Sequence, residues 1–393
     1  NSLGVLASGW LTDYFSRRGY LDAPMRAGMI GGLGVVIPAA LFSQVSGFGG
    51  SLAVLAVALL PMLGIGGMQL YRAESPGPVK DNKLVPRLAE TAKALWYIYL
   101  TLTVACALAY WAVGMSLFDA IGHSFTTVAI GGFSTHDASM GYFNSAAVDM
   151  VAIVFMFIAG INFALHFTAW RRRDAKHYLA DPEFLFYSFI LVSLSIVTVM
   201  VLYFSDIYSG ISESLIKGVF QVVSIATTTG FTTADFSSWP LFLPFLLLYA
   251  AIIGACAGST GGGMKVIRIL LIFKSGFREV QRLIHPRAVI PIKLGHNPVP
   301  DRIIESVWGF FAVYVMAYMA MLLALLATGL DIITAFSAVG ACINNLGPGL
   351  ATIAETYGHL PATAKWILCF AMLLGRLEVF TLLVLFTPMF WRR

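Results

Sequence analysis

The chain has 393 residues, 58% of them hydrophobic and 11% charged, with a mean hydropathy of +0.81. Soluble domains carry roughly 25% charged residues, so a soluble enzyme, a disordered chain and a nucleic-acid binder in water are excluded. The net charge of +5 is explained by where the charges lie along the chain. Cys106, Cys256, Cys342 and Cys369 sit in apolar stretches without metal or disulfide spacing, and read as small buried thiols.

The first 47 residues hold GWLTDYFSRRG (9–19) and then an apolar stretch. No cleavable signal peptide is evident, and a chain that starts at Asn1 is read as a possible fragment. About 20 predominantly apolar residues make a membrane-spanning helix. Eight stretches meet that description: 29–46, 48–70, 94–118, 150–170, 184–205, 236–264, 306–330 and 366–391, the last interrupted by Arg376 and Glu378.

The connections between them alternate in charge. Basic residues concentrate in 71–93, 171–182, 265–303 and the last two positions, which hold 19 of the 25 lysines and arginines. The connections 117–147, 205–238 and 329–365 hold only Lys217 and Lys365 among seven acids, including Asp119, Glu213 and Asp331. By the positive-inside rule the basic set is cytoplasmic and the acidic set external. The basic pI then reflects topology, and the acidic face raises cation concentration at an entrance.

Each acidic connection contains the same unit. Residues 117–133 read LFDAIGHSFTTVAIGGF, 213–231 read ESLIKGVFQVVSIATTTGF, and 331–350 read DIITAFSAVGACINNLGPGL. An acid is followed by a short helix of about ten residues, a polar or glycine-containing stretch, and another span. Such a helix reaches about 15 Å, half a hydrocarbon core. The irregular backbone behind it is tolerated at depth only where it lines a water-filled cavity. Rings of carbonyl oxygens there can replace the hydration shell of a monovalent cation, and the helix C-termini add partial negative charge. The fold class expected is an all-α polytopic membrane protein. Pseudo-symmetric repeats of helix, half-helix pore loop and helix surround a central ion pathway, with three of four repeats recognisable. The repeats are placed at 94–182, 183–303 and 304–393, after an atypical segment 1–47 and the end of a first repeat with its cytoplasmic loop, 48–93.

Several stretches resemble the TrkH/KtrB/HKT superfamily over about residues 48–393. They are PMLGIGGMQLYRAESPGPVKDNK (61–83), AIGGFSTHDASMGYF (129–143), ATTTGFTTADFSSWP (226–240), GACAGSTGGGMKVIRI (254–269), NNLGPG (344–349) and GRLEVFTLLVLF (375–386). The resemblance implies potassium uptake across a bacterial inner membrane through a gated, carbonyl-lined filter. It places filter backbone at Ala129, Ile130, Gly131 and Gly132; at Thr227, Thr228, Thr229 and Gly230; and at Asn344, Asn345, Leu346 and Gly347. It also implies a homodimer and a TrkA-like cytosolic nucleotide-binding ring. Potassium is the substrate; no cofactor, no enzymatic activity and no nucleic acid are expected.

Two gate candidates follow. Gly258, Ser259, Thr260, Gly261, Gly262 and Gly263, with Lys265 beside them, interrupt a span, although each interior glycine costs a helix about 1 kcal/mol relative to Ala. The resemblance makes this an intramembrane gate loop below the third filter strand; the alternative is close helix packing through small residues. Arg376 in the last span is an expensive charge that faces protein or a cavity. The resemblance puts it in the ion path; the alternatives are an ion pair with Glu378 or snorkelling. The segment 277–303 is basic and proline-interrupted, suited to a regulatory partner or to anionic membrane lipid, or simply solvated.

A closed filter needs four strands, and no first pore loop is found in residues 1–47. Gly9, Asp13, Arg17 and Arg18 weakly resemble a loop of the major facilitator superfamily. Two alternatives therefore stand beside the channel: a truncated or mosaic chain with little conductance of its own, and a secondary carrier. The scarcity of intramembrane acids disfavours the carrier. His123, His136 and His166 lack metal spacing and read as core or solvated histidines.

Overall fold

The computed structural model describes residues 88–380 and 383, apart from 241, 296, 355 and 378. The expected spans 29–46 and 48–70, the segment 1–47 and most of the first basic connection lie outside the described residues. The chain divides into two units. The larger takes in residues 95–386 and is described below; the smaller is represented only by the first residues of the helix Leu88–Ala112.

Helix α1 (Leu88–Ala112) leads to the short α2 (Leu117–Val128), then α3 (Ala146–Ala159) and α4 (Phe163–Arg172). After the one-turn α5 (Lys176–Ala180) come α6 (Pro182–Phe204), the short α7 (Ile211–Ala226), α8 (Phe242–Ile253) and α9 (Val266–Ile284). A two-residue hairpin pairs Lys293 with Pro298 and Leu294 with Asn297. It precedes α10 (Asp301–Leu326), the short α11 (Ile332–Ile343) and α12 (Ala362–Arg376).

Thus a long helix, a short helix and an inner helix occur three times in order, as the sequence pattern leads one to expect. The packing repeats as well. The short helix α7 lies against α6 and α8 of its own repeat and against α3 of the one before, and α11 lies against α10, α12 and the preceding α8. The short helices α7 and α11 are each wedged between two repeats.

Local signals start the helices. Asp181 caps α6 by accepting from Phe184 N at 2.8 Å, ahead of Pro182 at the first helical position. Asp331 accepts from Thr334 N at 2.9 Å at the head of α11, and Ser116 from Asp119 N at 3.1 Å at the head of α2. These side chains satisfy helix-end donors left without intrahelical partners. On α6, Leu185, Phe189, Val192, Ile196, Met200 and Tyr203 are exposed at helical spacing. A continuous apolar stripe of this length faces lipid rather than water.

Among the described residues, three helices are long and apolar enough to span a membrane: Ala94–Ala112, Pro182–Phe204 and Asp301–Leu326. Two expected spans differ. The stretch 150–170 is broken into α3 and α4 with a 91° bend. Gly160 ends α3, and the Asn162 side chain starts α4 by accepting from Ala164 N at 2.8 Å. The stretch 236–264 is a helix only to Ile253, after which the glycines take over. Cys106, Cys256 and Cys342 are buried as expected, whereas Cys369 is exposed on the outer face of α12.

Candidate functional site

The three short helices end in the same way. Each closes with a Schellman pair: Ile130 N donates to Thr127 O and Gly131 N to Thr126 O; Thr228 N to Ile225 O and Thr229 N to Ser224 O; Asn345 N to Cys342 O and Leu346 N to Ala341 O. In this motif the first residue past the cap adopts a left-handed backbone and is usually glycine. Here it is Ile130 (φ 53°), Thr228 (φ 67°) and Asn345 (φ 56°). For Ile and Thr, both β-branched, this is a strained conformation costing on the order of 1–3 kcal/mol, of the kind that persists at functional sites. Two residues further on, Gly132, Gly230 and Gly347 are left-handed again, at φ 66°, 84° and 97°. The expected filter residues therefore share one backbone conformation in all three repeats.

The strands also touch one another in sequence. A Cβ on Gly132 would lie 1.9 Å from Thr229 O, and a Cβ on Gly230 would lie 2.0 Å from Leu346 O. The 129–132 strand thus abuts 227–230, and 227–230 abuts 344–347, with glycine making each approach possible. The Schellman bonds consume the strand N–H groups. No described residue donates to the carbonyls of Ala129, Ile130, Gly131, Thr228, Thr229 or Asn345. Buried carbonyls are normally paired, so a run without donors is a set of oxygens free for a cation.

Polar side chains hold the strands from behind, and most of these were not singled out from the sequence. Tyr110 OH pairs with Thr127 Oγ1 at 2.9 Å, and Tyr314 OH donates to Asn344 Oδ1 at 3.0 Å. Thr227 Oγ1 donates to Val223 O at 2.7 Å and pairs with Thr229 Oγ1 at 2.7 Å. Thr126 Oγ1 donates to Phe133 O and Ser224 Oγ to Phe231 O, each at 2.7 Å across the same seven-residue step. The third repeat has Ala341 at that position and instead fixes its loop through Tyr357 OH, which donates to Gly347 O at 2.7 Å.

The glycine-rich segment lies against all three strands. Thr260 Oγ1 donates to Val128 O at 2.8 Å, at the foot of the first strand. Gly262 N donates to Thr228 Oγ1 at 2.6 Å, in the second. A Cβ on Gly262 would lie 2.1 Å from Asn344 O, in the third. Close packing through small residues is thus part of the arrangement, and the packing partner is the backbone of these strands. Lys265, buried and left-handed at φ 77°, turns back so that its Nζ donates to Gly261 O. The segment is further tied to the α3–α4 bend, where Cys256 N donates to Gly160 O and Phe163 N to Gly258 O, both at 3.0 Å. Arg376 is the exposed last residue of α12. Its neighbour Gly375 packs so tightly that a Cβ would lie 1.8 Å from Ile343 O and 3.0 Å from Asn345 Nδ2.

His123 and His166 are held within the fold by hydrogen bonds at both ring nitrogens. His123 is buried between Asp119 O and Ser134 Oγ, and His166 between Tyr178 OH and Ile158 O. Among the described residues no group of metal-ligating side chains is found. Outside the spans, Asp119 accepts from Thr135 Oγ1 at 2.6 Å and from Ser116 Oγ at 2.7 Å. The Thr135 bond in particular holds its carboxyl below the usual carboxylate range.

A family model described as TrkH, cation transport protein, matches residues 37–393. The chain belongs to the TrkH family. The match begins upstream of residue 48, where the sequence motifs become specific. The Trk system potassium uptake protein TrkH of Halomonas elongata is 58% identical over 370 residues, 93% of this chain and 77% of that protein. The TrkH of Escherichia coli K12 is also 58% identical, over 88% of this chain and 72% of its own length. Among solved structures, the potassium transporter TrkH from Vibrio parahaemolyticus matches with a TM-score of 0.76 and 54% identity, covering 86% of this chain and 69% of that one. These TrkH-family likenesses take in all three short helices, their strands and the glycine segment.

Proposed function

We propose that the chain carries potassium across a bacterial inner membrane through a filter to which Ala129–Gly132, Thr227–Gly230 and Asn344–Gly347 contribute. The observation that carries this reading is the threefold recurrence of one strained backbone on adjacent strands with donor-free carbonyls. Peptide oxygens so arranged replace the water of an alkali cation without a carboxylate in the pathway. The short-helix C-termini add their partial negative charge.

The segment Gly258–Gly263 is the gate in this reading, since it reaches the foot of every described strand and crosses the exit from the filter. Lys265 holds the loop in its folded shape through Gly261 O. Arg376, beside the tightly packed Gly375, is a cationic barrier at the same level. The basic connections face the cytoplasm. The relatives' membership of a Trk system supports a multi-component assembly, within which a homodimer and a cytosolic nucleotide-binding ring are the expected partners. The repeat boundaries 94–182, 183–303 and 304–393 follow the three helical triplets.

The test is potassium-dependent flux into proteoliposomes with and without Gly230→Ser. The expected result is potassium-selective flux in the parent and a reduced potassium-over-sodium preference in the variant. An unchanged preference in a folded variant would count against the filter.

A further inference from the structure

Glu183 lies in the first turn of α6 and is 8% exposed. A carboxylate does not stay in such a place without compensation. Its compensation comes from the gate segment. Ala257 N donates to Glu183 Oε1 at 2.6 Å, across 74 residues of sequence. The N–H of Ile267, in the first turn of α9, is a second favourable neighbour, and the Lys265 ammonium is an opposing charge that favours it. The Asp181 carboxylate is its like-charged neighbour, and the Cys256 thiol lies close by.

This placement answers a local need. Helix α9 has no side-chain cap of its own, because the residue before it is Lys265, whose ammonium has no acceptor to offer. Helix N-termini carry unsatisfied donors and partial positive charge, which an acid satisfies even from another element. Ala257 stands at the near end of the glycine loop and Ile267 just past its far end, so one carboxylate brackets the loop.

We propose that Glu183 is a positioning residue for the gate: its carboxylate clamps both ends of the glycine loop and so holds the loop against the filter. The proposal rests on the reading of Gly258–Gly263 as the gate. Glu183 touches no ion and no filter carbonyl; it acts through Ala257 and the start of α9. A rigid clamp at the cytoplasmic end of α6 also joins the loop to the basic connection that precedes it, 171–182. Movement there transmits to the gate through one side chain.

The test measures resting flux of the intact protein in potassium-loaded proteoliposomes, without any regulatory partner, for Glu183→Ala, Glu183→Gln and Glu183→Asp. Glu183→Ala is expected to raise resting flux at least about tenfold, equivalent to roughly 1.4 kcal/mol, with the potassium-over-sodium ratio unchanged. Glu183→Gln keeps an oxygen for Ala257 N and is expected to restore closure to within about threefold of the parent, equivalent to roughly 0.7 kcal/mol. Glu183→Asp draws the oxygen back by one methylene and is expected to leak. It keeps the test decisive if the alanine variant does not fold. Parent-like flux in Glu183→Ala or Glu183→Asp overturns the proposal, as does a leak in Glu183→Gln equal to that in Glu183→Ala, or a change in ion preference. Gly262→Ala, which disturbs the loop without touching Glu183, separates the two levels. If it leaks while the Glu183 variants do not, only the clamp fails; if it does not leak either, the gate reading fails.

Discussion

Gly262→Ala is the sharpest perturbation available at the foot of the proposed filter. Gly262 has no left-handed backbone to complicate the change, so the effect is one of space. The added Cβ would lie 2.1 Å from Asn344 O, while ordinary contact begins near 3.4 Å, so loop and strand must part by about 1.3 Å. The bond from Gly262 N to Thr228 Oγ1, 2.6 Å long, then stretches past hydrogen-bonding range. Overpacking costs typically 1–3 kcal/mol, and the lost bond about 1 kcal/mol. The closed arrangement is therefore destabilised by about 2–4 kcal/mol. If all of this falls on the closed state, the closed-to-open ratio drops by about 30- to 700-fold. The assay is resting potassium flux in proteoliposomes with the folded fraction checked by size-exclusion chromatography. Flux at or below the parent's, in a folded variant, would refute the placement of the loop as a plug.

Gly132→Ala should lower the potassium-over-sodium preference in competitive flux by at least about tenfold, because φ 66° and a Cβ 1.9 Å from Thr229 O add strain of roughly 1–3 kcal/mol to the filter backbone. Tyr314→Phe removes the donor to Asn344 Oδ1 and should cost about 1–3 kcal/mol of stability by leaving a buried acceptor unpaired, read as a lower melting temperature with a smaller loss of ion preference than in Gly132→Ala. Gly276→Ala, at an exposed position in α9 with open space around it, should raise thermal stability by up to about 1 kcal/mol and leave flux unchanged. Asp119 has a depressed pKa, so its contribution to holding the 133–145 loop is complete above the ordinary aspartate range and lost as pH falls through the lower folded value; hydrogen exchange in that loop should be flat from pH 7 to 5 once corrected for intrinsic rates, and quicken only in stronger acid.

The threefold helix unit was legible because three physical requirements leave marks in sequence: an acid or its equivalent near the helix start, a length of half a membrane, and glycine where strands meet. Asp119, Glu213 and Asp331 and the glycines at 132, 230 and 347 are those marks. The short helices proved 12, 16 and 12 residues long rather than about ten, and each runs up to its Schellman closure. The left-handed backbones of Ile130 and Thr228 carry no such mark, because the residue types argue against the conformation and only the surrounding packing imposes it. The bend at Gly160–Asn162 was hidden inside an apolar run whose composition suits a straight span. Glu183, Tyr110 and Tyr314 were illegible for a related reason: their partners lie 74, 17 and 30 residues away, and no spacing rule connects residues that meet only in the folded chain. The arginine at 376 was legible as an anomaly of charge, while its neighbour Gly375, which makes the tight contact, was not.

The most direct measurement is a crystal structure of the protein grown in rubidium or thallium, with anomalous difference density mapped around the short-helix ends. Peaks are expected on the axis between the carbonyls of Ala129–Gly132, Thr227–Gly230 and Asn344–Gly347, above the Gly258–Gly263 loop. Cations bound instead at the acidic side chains of the outer connections, with none between these strands, would contradict the assignment of the ion pathway.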